Sequence, residues 1–224
     1  MIAQPFSLLK PFAERLSVWI SAKDDPPRTD DALATELGVS RSASLDQVHG
    51  NRVIVVRDAL ARSEKADGCI TDAKDLLLSV RWADCQNFLV YAPDRNIVGL
   101  VHVGWRCLVA GTIPSFFRTL ESEWGIDGGD TYVCGGPSLC QECSEFSDPL
   151  NELTGINPEL VHGKRADLRG WALQQLTEAG VHEDRFQRII DCTRCRADQY
   201  WTYRGGHQEE VRAGRSNALL CILR

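Results

Sequence analysis

The sequence predicts an α+β fold with mixed β-sheets, formed as a single domain over residues 1–224. Three observations support this fold class. Short runs rich in β-branched residues recur along the chain, two amphipathic helical patterns lie among them, and the two kinds of element do not alternate in a strict βαβ rhythm. With 43% apolar and 25% charged residues, the chain can build a buried core.

Five segments are predicted as strands because they are enriched in β-branched residues. Several carry apolar residues at consecutive positions, which indicates strands that are covered on both sheet faces. Ahead of them, the paired prolines and acids of residues 23–27 predict a loop. The predicted strands are Val53–Val56, Leu76–Val80, Phe88–Tyr91, Ile97–Val103 and Asn217–Leu223.

Two helices follow from residue spacing and from end signals. Pro114 suits the first turn of one helix, which places the apolar residues between Phe116 and Trp124 on one side. Asp167 is the predicted N-cap of the second helix, whose apolar residues recur at three- and four-residue spacing. Gly180 fits just past the end of that helix.

Composition and charge narrow the function classes. A net charge of −6 argues against a large nucleic-acid footprint, because such a surface needs excess positive charge. No run approaches the roughly 18 apolar residues of a membrane span, and Lys10 and Pro11 fall where a signal peptide needs its apolar stretch. We therefore expect a soluble, cytoplasmic protein whose partners are small molecules rather than nucleic acid or membrane.

Three short segments place a metal-binding side chain where a strand gives way to a turn: His49, Cys85 and His102. One thiolate with two imidazoles suits zinc, and three protein ligands leave a position for a water whose pKa the metal lowers towards 7. Copper fits the same ligands. Because their spacing matches no local metal motif, hydrogen-bonded histidines and a buried thiol are the alternative interpretation.

Two CxxC pairs suggest a different metal site. Cys140 with Cys143 and Cys192 with Cys195 could close a four-cysteine zinc site, although 48 residues separate the pairs. A compact zinc ribbon has a separation of roughly 15 to 20 residues. A thioredoxin-type redox motif fits worse, because neither pair follows a strand and opens a helix in a βαβ unit. Packing or surface thiols are the alternative. The odd count of nine cysteines does not favour a disulfide scaffold.

Arginines beside glycines are candidates for binding an anion. Arg106 follows Gly104 at a predicted strand-to-helix turn, and Arg204 and Arg215 lie in a glycine-rich stretch near the C-terminus. Because a guanidinium group binds phosphate through two parallel hydrogen bonds, these three side chains are candidate phosphate ligands, with ordinary surface turns as the alternative interpretation.

In order and spacing, these segments resemble the laccase-domain family, long described as polyphenol oxidases and now regarded as purine nucleoside phosphorylases. The resemblance covers about residues 45–224. Its motifs are Gln47–Gly50 (QVHG), Ala66–Gly68 (ADG), Ala83–Cys85 (ADC), His102–Arg106 (HVGWR), Gly136–Ser138, Asp167–Leu168, Cys192–Thr193, Tyr203–Arg204 and Gly214–Arg215.

The resemblance implies that His49, Cys85 and His102 bind zinc, within a layered α/β/β/α fold. It also implies phosphorolysis of adenosine, inosine and methylthioadenosine and hydrolytic deamination of adenosine, with a purine nucleoside and phosphate as small-molecule partners. A metal-activated water suits the deamination, because it can attack the purine C6.

Further roles are predicted for residues of the same motifs. Asp84, beside the zinc cysteine, is the predicted proton carrier, although a carboxylate there could equally orient a ligand histidine. Arg106 is the first choice for holding phosphate at the sugar C1′, followed by Arg204 and Arg215. Gln47 is assigned to substrate binding.

Two departures from the family pattern concern the pocket. Cys107 replaces a glycine after the GWR motif, and residues 1–44 diverge from the glycine- and serine-rich opening that normally completes one wall. Three alternative functions therefore stay open: a copper-dependent polyphenol oxidase, a peptidoglycan-precursor editing hydrolase and a non-catalytic zinc-bound interaction domain. Five scattered histidines are few for a multicopper oxidase.

Overall fold

The computed structural model describes residues 1–26 and 28–224, and in these residues it contains thirteen strands and six α-helices. The strands are β1 (Ile2–Ala3), β2 (Leu16–Ser21), β3 (Arg41–Ser44), β4 (Val53–Val55), β5 (Gly68–Thr71), β6 (Leu76–Trp82), β7 (Gln86–Ala92), β8 (Ile97–Val103), β9 (Tyr132–Gly135), β10 (Val161–His162), β11 (Arg165–Ala166), β12 (Phe186–Arg188) and β13 (Asn217–Leu223). The helices are α1 (Asp30–Glu36), α2 (Trp105–Ala110), α3 (Thr112–Trp124), α4 (Pro149–Glu152), α5 (Leu168–Glu178) and α6 (Gln208–Arg212).

Two large sheets form the centre of the fold. The five-stranded sheet has the order β1-β2-β13-β6-β3, and the six-stranded sheet has the order β12-β9-β7-β8-β5-β4. Each contains both parallel and antiparallel neighbours: β3 pairs with β6 in parallel, as do β4 with β5 and β12 with β9. Strands β10 and β11 form a separate antiparallel pair. The predicted α+β class with mixed sheets is confirmed.

Side chains of the central strands point alternately to the two faces of their sheet, and each face packs against a different layer. In β13, Leu219, Cys221 and Leu223 belong to the core between the two sheets, whereas Leu220 and Ile222 pack against α1 on the other side. The outer face of the six-stranded sheet is covered by α3 and α5. The order is therefore helix, sheet, sheet, helix, as the family resemblance implied. Every residue of β7, β8 and β13 is buried, which confirms that apolar runs mark strands covered on both faces.

The predicted helix ends are also confirmed. The Asp167 side chain accepts a hydrogen bond from the Gly170 backbone N–H at 2.9 Å, and α5 begins at the next residue. Gly180, just past the end of α5, has a φ of 92°, which glycine adopts without strain. Pro114 lies in the first turn of α3.

All five predicted strands are present, and three of them differ from the prediction by one or two residues at an end. Residues 23–25 form a turn and a bend, as expected for the predicted loop, while Pro27 lies outside the described residues. In the described part of the chain, no helix combines the length and the apolar character needed to cross a bilayer.

Candidate metal centre and cleft

A cleft of about 670 Å³ opens where β3, β6 and β8 end and β7 and β13 begin. Its volume falls in the usual range of small-molecule sites. The cleft brings together all eight residues that the sequence singles out as site residues, each of which belongs to its lining: Gln47, His49, Asp84, Cys85, His102, Arg106, Arg204 and Arg215.

Two connections between the sheets and one strand end hold the candidate metal ligands. His49 lies on the connection from β3 to β4, and Cys85 lies on the connection from β6 to β7. Both connections leave the five-stranded sheet and enter the six-stranded one. His102 is the second-to-last residue of β8 and is buried. The Cys85 Sγ lies 3.9 Å from His49 Nε2, and the ligand atoms of all three residues lie within 4.8 Å of one another.

Asp67, which is fully buried ahead of β5, fixes both histidines. Its Oδ1 accepts hydrogen bonds from His102 Nδ1 at 2.9 Å and from the His49 backbone N–H at 3.0 Å. Its Oδ2 accepts one from the Gly50 N–H at 2.7 Å. These bonds hold the loop around His49, whose φ is 61°. Because Asp67 engages Nδ1 of His102, Nε2 is the nitrogen left for a metal.

The charges of the centre favour a thiolate. Burial raises the pKa of the Cys85 thiol, but the charge and hydrogen bonds of His102 and His49 outweigh it and bring the pKa to about 6. Burial lowers the pKa of His102, yet the charge of Cys85 and the bond to Asp67 raise it well above its usual value. The deprotonated sulfur that metal binding requires is thus accessible near neutral pH. The structure therefore contains a candidate Cys/His metal site.

Gly104 leaves the space that this site needs. A Cβ at this position would lie 2.9 Å from His49 Cδ2 and 3.0 Å from Cys85 Sγ. We expect Gly104→Ala to weaken metal binding by about 10-fold or more, because its φ of −74° accepts alanine but the methyl group displaces two ligands. A competition titration against a chromophoric chelator measures the affinity. Gly50→Ala is the matched control, since its Cβ would meet its neighbours at 3.7 and 3.8 Å. Unchanged affinity in Gly104→Ala would contradict the assignment.

The three predicted arginines reach the cleft from different elements. Arg106, in the first turn of α2, lies over the Trp105 ring at 4.2 Å from its centroid. The Arg204 guanidinium lies 5.3 Å from the Phe146 ring centroid and donates to the Glu145 carbonyl. Within residues 1–26 and 28–224, none of these three side chains forms an ion pair with a carboxylate. Their positive charges are therefore available to an anion in the cleft.

Asp84 lines the cleft, and its carboxylate is engaged by the C-terminal part of the chain. Its Oδ1 accepts hydrogen bonds from the hydroxyls of Thr193 at 2.8 Å and Thr202 at 2.5 Å. Its Oδ2 accepts one from the Arg204 backbone N–H at 2.7 Å. The alternative role suggested for Asp84 was to orient a ligand histidine. In the structure Asp67 does this, because it accepts the hydrogen bond from His102 Nδ1. The contacts of Asp84 position the loop that carries Arg204.

Gln47 and Cys107 also have defined contacts. The Gln47 side-chain amide donates to the Arg81 carbonyl at 2.7 Å and accepts from the Arg81 N–H at 2.8 Å, which ties its loop to β6. Its assignment to substrate stays a prediction. Cys107 is fully buried in the core beneath the six-stranded sheet, so the departure from the family glycine is packed below the cleft.

Sequence reasoning missed three residues of this region. Asp67 was visible only as part of a family motif, because a single buried carboxylate has no periodic signal. Arg62 and Arg81 also line the cleft, and Arg81 pairs with Asp30 at 2.7 Å. Among the described residues the lining starts at Leu45, in keeping with the divergence of residues 1–44.

The layered fold and the candidate Cys/His site at the sheet connections place this chain in a class of α+β proteins with a metal site. A family model identifies the family of the chain. The model described as multi-copper polyphenol oxidoreductase laccase matches residues 14–223. The chain belongs to this family. The match starts well before residue 45, so it takes in part of the segment that diverges in sequence.

Relatives and solved structures agree with this assignment. The chain is 31% identical over 200 residues to a protein of Streptomyces coelicolor named purine nucleoside phosphorylase SCO2081, covering 84% of this chain and 81% of the relative. It is 28% identical over 210 residues to adenosine deaminase RL5 from an unknown prokaryotic organism, with 81% and 78% covered. The crystal structure of the hypothetical protein YfiH of Bacillus licheniformis has the same fold, with a TM-score of 0.79, 20% identity and coverage of 95% and 94%.

Proposed function

We propose that this protein is a zinc-dependent purine nucleoside enzyme, which catalyses phosphorolysis of adenosine, inosine and methylthioadenosine and hydrolytic deamination of adenosine. The observation that carries the proposal is the shared cleft: a thiolate and two imidazoles lie beside three arginines in one cavity of about 670 Å³. The names of the two relatives support both activities.

Zinc suits the ligands better than a hard cation does, because sulfur and imidazole nitrogen are its usual donors. In a tetrahedral zinc site, a sulfur and a nitrogen ligand lie about 3.6 Å apart. The 3.9 Å between Cys85 Sγ and His49 Nε2 is close to that value. When bound by three protein ligands, the metal would lower the pKa of a water at its open position, which is the chemistry that deamination at the purine C6 needs.

The other residues of the cleft bind and orient the substrates. Trp105 and Phe146 stand edge to face with ring centroids 5.9 Å apart, and they offer aromatic surface to a purine. Arg106, Arg204 and Arg215 hold phosphate, whose oxygen attacks the sugar C1′ while the bond from C1′ to the purine nitrogen breaks. In this proposal, Asp84 acts by positioning Arg204 rather than by carrying a proton, since its oxygens already accept three hydrogen bonds.

A copper-dependent phenol oxidase is less well supported. Among the described residues, His49 and His102 are the two histidines in the cleft lining, and they share one group with Cys85. Four-electron reduction of oxygen needs further copper ligands beyond one mononuclear site.

The deciding experiment incubates the zinc-loaded protein with adenosine, with and without phosphate, and separates the products by chromatography. We expect adenine only when phosphate is present, and inosine in both cases, with hypoxanthine formed from inosine when phosphate is present. If no nucleoside is converted by protein that retains its metal in the cleft, the proposal is wrong.

Arg106→Ala separates the two activities. We expect the phosphorolysis kcat/KM to fall by about 30-fold, because a charge-assisted contact to phosphate contributes about 2 kcal/mol. Deamination should change by less than about 3-fold, since it uses no phosphate. Steady-state kinetics on adenosine measure both. Arg95→Ala is the matched control, because Arg95 lies in the turn between β7 and β8, at the end of the strands away from the cleft. Equal losses of both activities would contradict a phosphate role for Arg106.

A further inference from the structure

The cysteines of the two CxxC pairs form a second cluster, separate from His49, Cys85 and His102. One pair follows β9, in a segment that makes a short 3₁₀ turn, and the other pair follows β12. The ligand atoms of Cys140, Cys143, Cys192 and Cys195 all lie within 4.8 Å of one another. All four are free thiols in the structure.

The distance between sulfurs distinguishes a metal site from a disulfide. The sulfurs of a disulfide lie about 2.05 Å apart. Around a tetrahedral zinc ion with bonds of about 2.3 Å, ligand sulfurs lie about 3.8 Å apart. The Sγ atoms of Cys143 and Cys195, which come from different pairs, are separated by 3.7 Å. The cluster therefore has the dimensions of a four-sulfur metal site.

Backbone donors directed at one of the sulfurs are a second, independent observation. The Cys140 N–H donates to Cys192 Sγ at 3.3 Å. The Cys195 backbone N–H is directed at the same sulfur. Hydrogen bonds of this kind stabilise the thiolate form, in which cysteine binds metals.

The two segments are already held side by side by groups around the cluster. The Arg169 guanidinium donates to the carbonyls of Ser138 and Asp191, one on each segment. The Thr193 N–H donates to the Ser138 carbonyl at 3.2 Å. Four ligands are thus presented by a braced scaffold, which lowers the entropy that metal binding has to overcome.

We infer that Cys140, Cys143, Cys192 and Cys195 bind a zinc ion as a closed, structural four-cysteine site. With all four positions taken by sulfur, the ion has no place for substrate or water and serves as a cross-link. The four-cysteine cluster lies next to residues of the cleft. Leu139 and Ser144, on either side of the first pair, line the cleft, and Thr193 in the second pair donates to Asp84. The ion therefore stabilises one wall of the cleft.

Zinc content per chain tests this inference on the whole protein, purified under reducing conditions and analysed by mass spectrometry for metals. We expect two zinc ions in the wild type and one in the double variant Cys140→Ser with Cys195→Ser, which replaces one ligand from each pair. Cys85→Ala should also keep one, and this arm separates the four-cysteine site from the cleft site. Cys134→Ala, a buried thiol in neither cluster, is the control and should keep two.

Cobalt substitution in Cys85→Ala is a second measurement that does not depend on folding of the double variant. We expect the intense sulfur-to-cobalt absorption of a site with four thiolates. Two results would overturn the inference. One is an unchanged zinc content in the folded double variant, with folding checked by circular dichroism. The other is one zinc per wild-type chain together with four thiols lost to disulfides in a thiol titration.

Discussion

Cys85→Ala is expected to remove the metal from the cleft and to lower the turnover of every nucleoside substrate by roughly 10³-fold, which corresponds to about 4 kcal/mol. The physical reason is the charge of the three metal ligands. Cys85 is the single thiolate of the three, and its pKa of about 6 makes it the anionic ligand. Two imidazoles alone hold zinc much more weakly, because the charge of the cation is no longer compensated.

The measurement combines metal analysis with kinetics on adenosine and inosine. The variant should lose one equivalent of zinc while the four-cysteine cluster keeps its own. Cys134→Ala is again the matched control, because burial raises the pKa of that thiol and keeps it protonated in the core between the sheets. Wild-type turnover in a Cys85→Ala protein with an empty cleft would show that the chemistry occurs without the metal.

Asp67→Asn is the second substitution with a large expected effect. We expect the cleft to bind zinc 10- to 100-fold more weakly, the usual range for removing a group that orients a metal-ligating histidine. Asp67 accepts hydrogen bonds from His102 Nδ1 and from the backbone N–H groups of His49 and Gly50. An asparagine has one acceptor oxygen, so its NH₂ group would face one of these N–H donors.

A chelator competition titration measures the loss of zinc affinity in Asp67→Asn. Turnover at increasing zinc concentration shows whether weaker metal binding causes the loss of activity. If Asp67 acts by positioning the ligands, a large excess of zinc restores most of the activity. Asp72→Asn is the control, because this more exposed carboxylate pairs with Arg57 at 3.2 Å, away from the cleft. Wild-type affinity in Asp67→Asn would rule out the positioning role.

The long central strands could be predicted from the sequence because they are buried on both faces. The runs of mostly apolar residues over 97–103 and 217–223 predict strands of this kind. Most of the short strands could not be predicted. Ile2–Ala3 and Phe186–Arg188 owe their conformation to pairing with a neighbour rather than to their own residues. Leu16–Ser21 was not predicted either, although its residues alternate in burial along the strand.

The eight site residues predicted from the sequence all line the cleft, but their contacts were not predicted. His49, Cys85 and His102 were singled out because their residue types suit a metal and because they resemble a family motif. That Asp67 links two of them depends on strand pairing, which no local pattern encodes. In the same way, the role of Asp84 was predicted from its neighbour Cys85. Its hydrogen-bond partners Thr193, Thr202 and Arg204 are more than a hundred residues away in the chain.

The two connections that leave the five-stranded sheet and enter the six-stranded one each carry a candidate ligand, His49 and Cys85. An ion held by both, together with His102, would join the two halves of the sandwich at one end. By mass action, such an ion stabilises the folded chain by about 4 kcal/mol when its free concentration is 1,000 times its dissociation constant. In a chain whose nine cysteines are all reduced, metal binding would then supply the cross-linking that oxidised proteins obtain from disulfides.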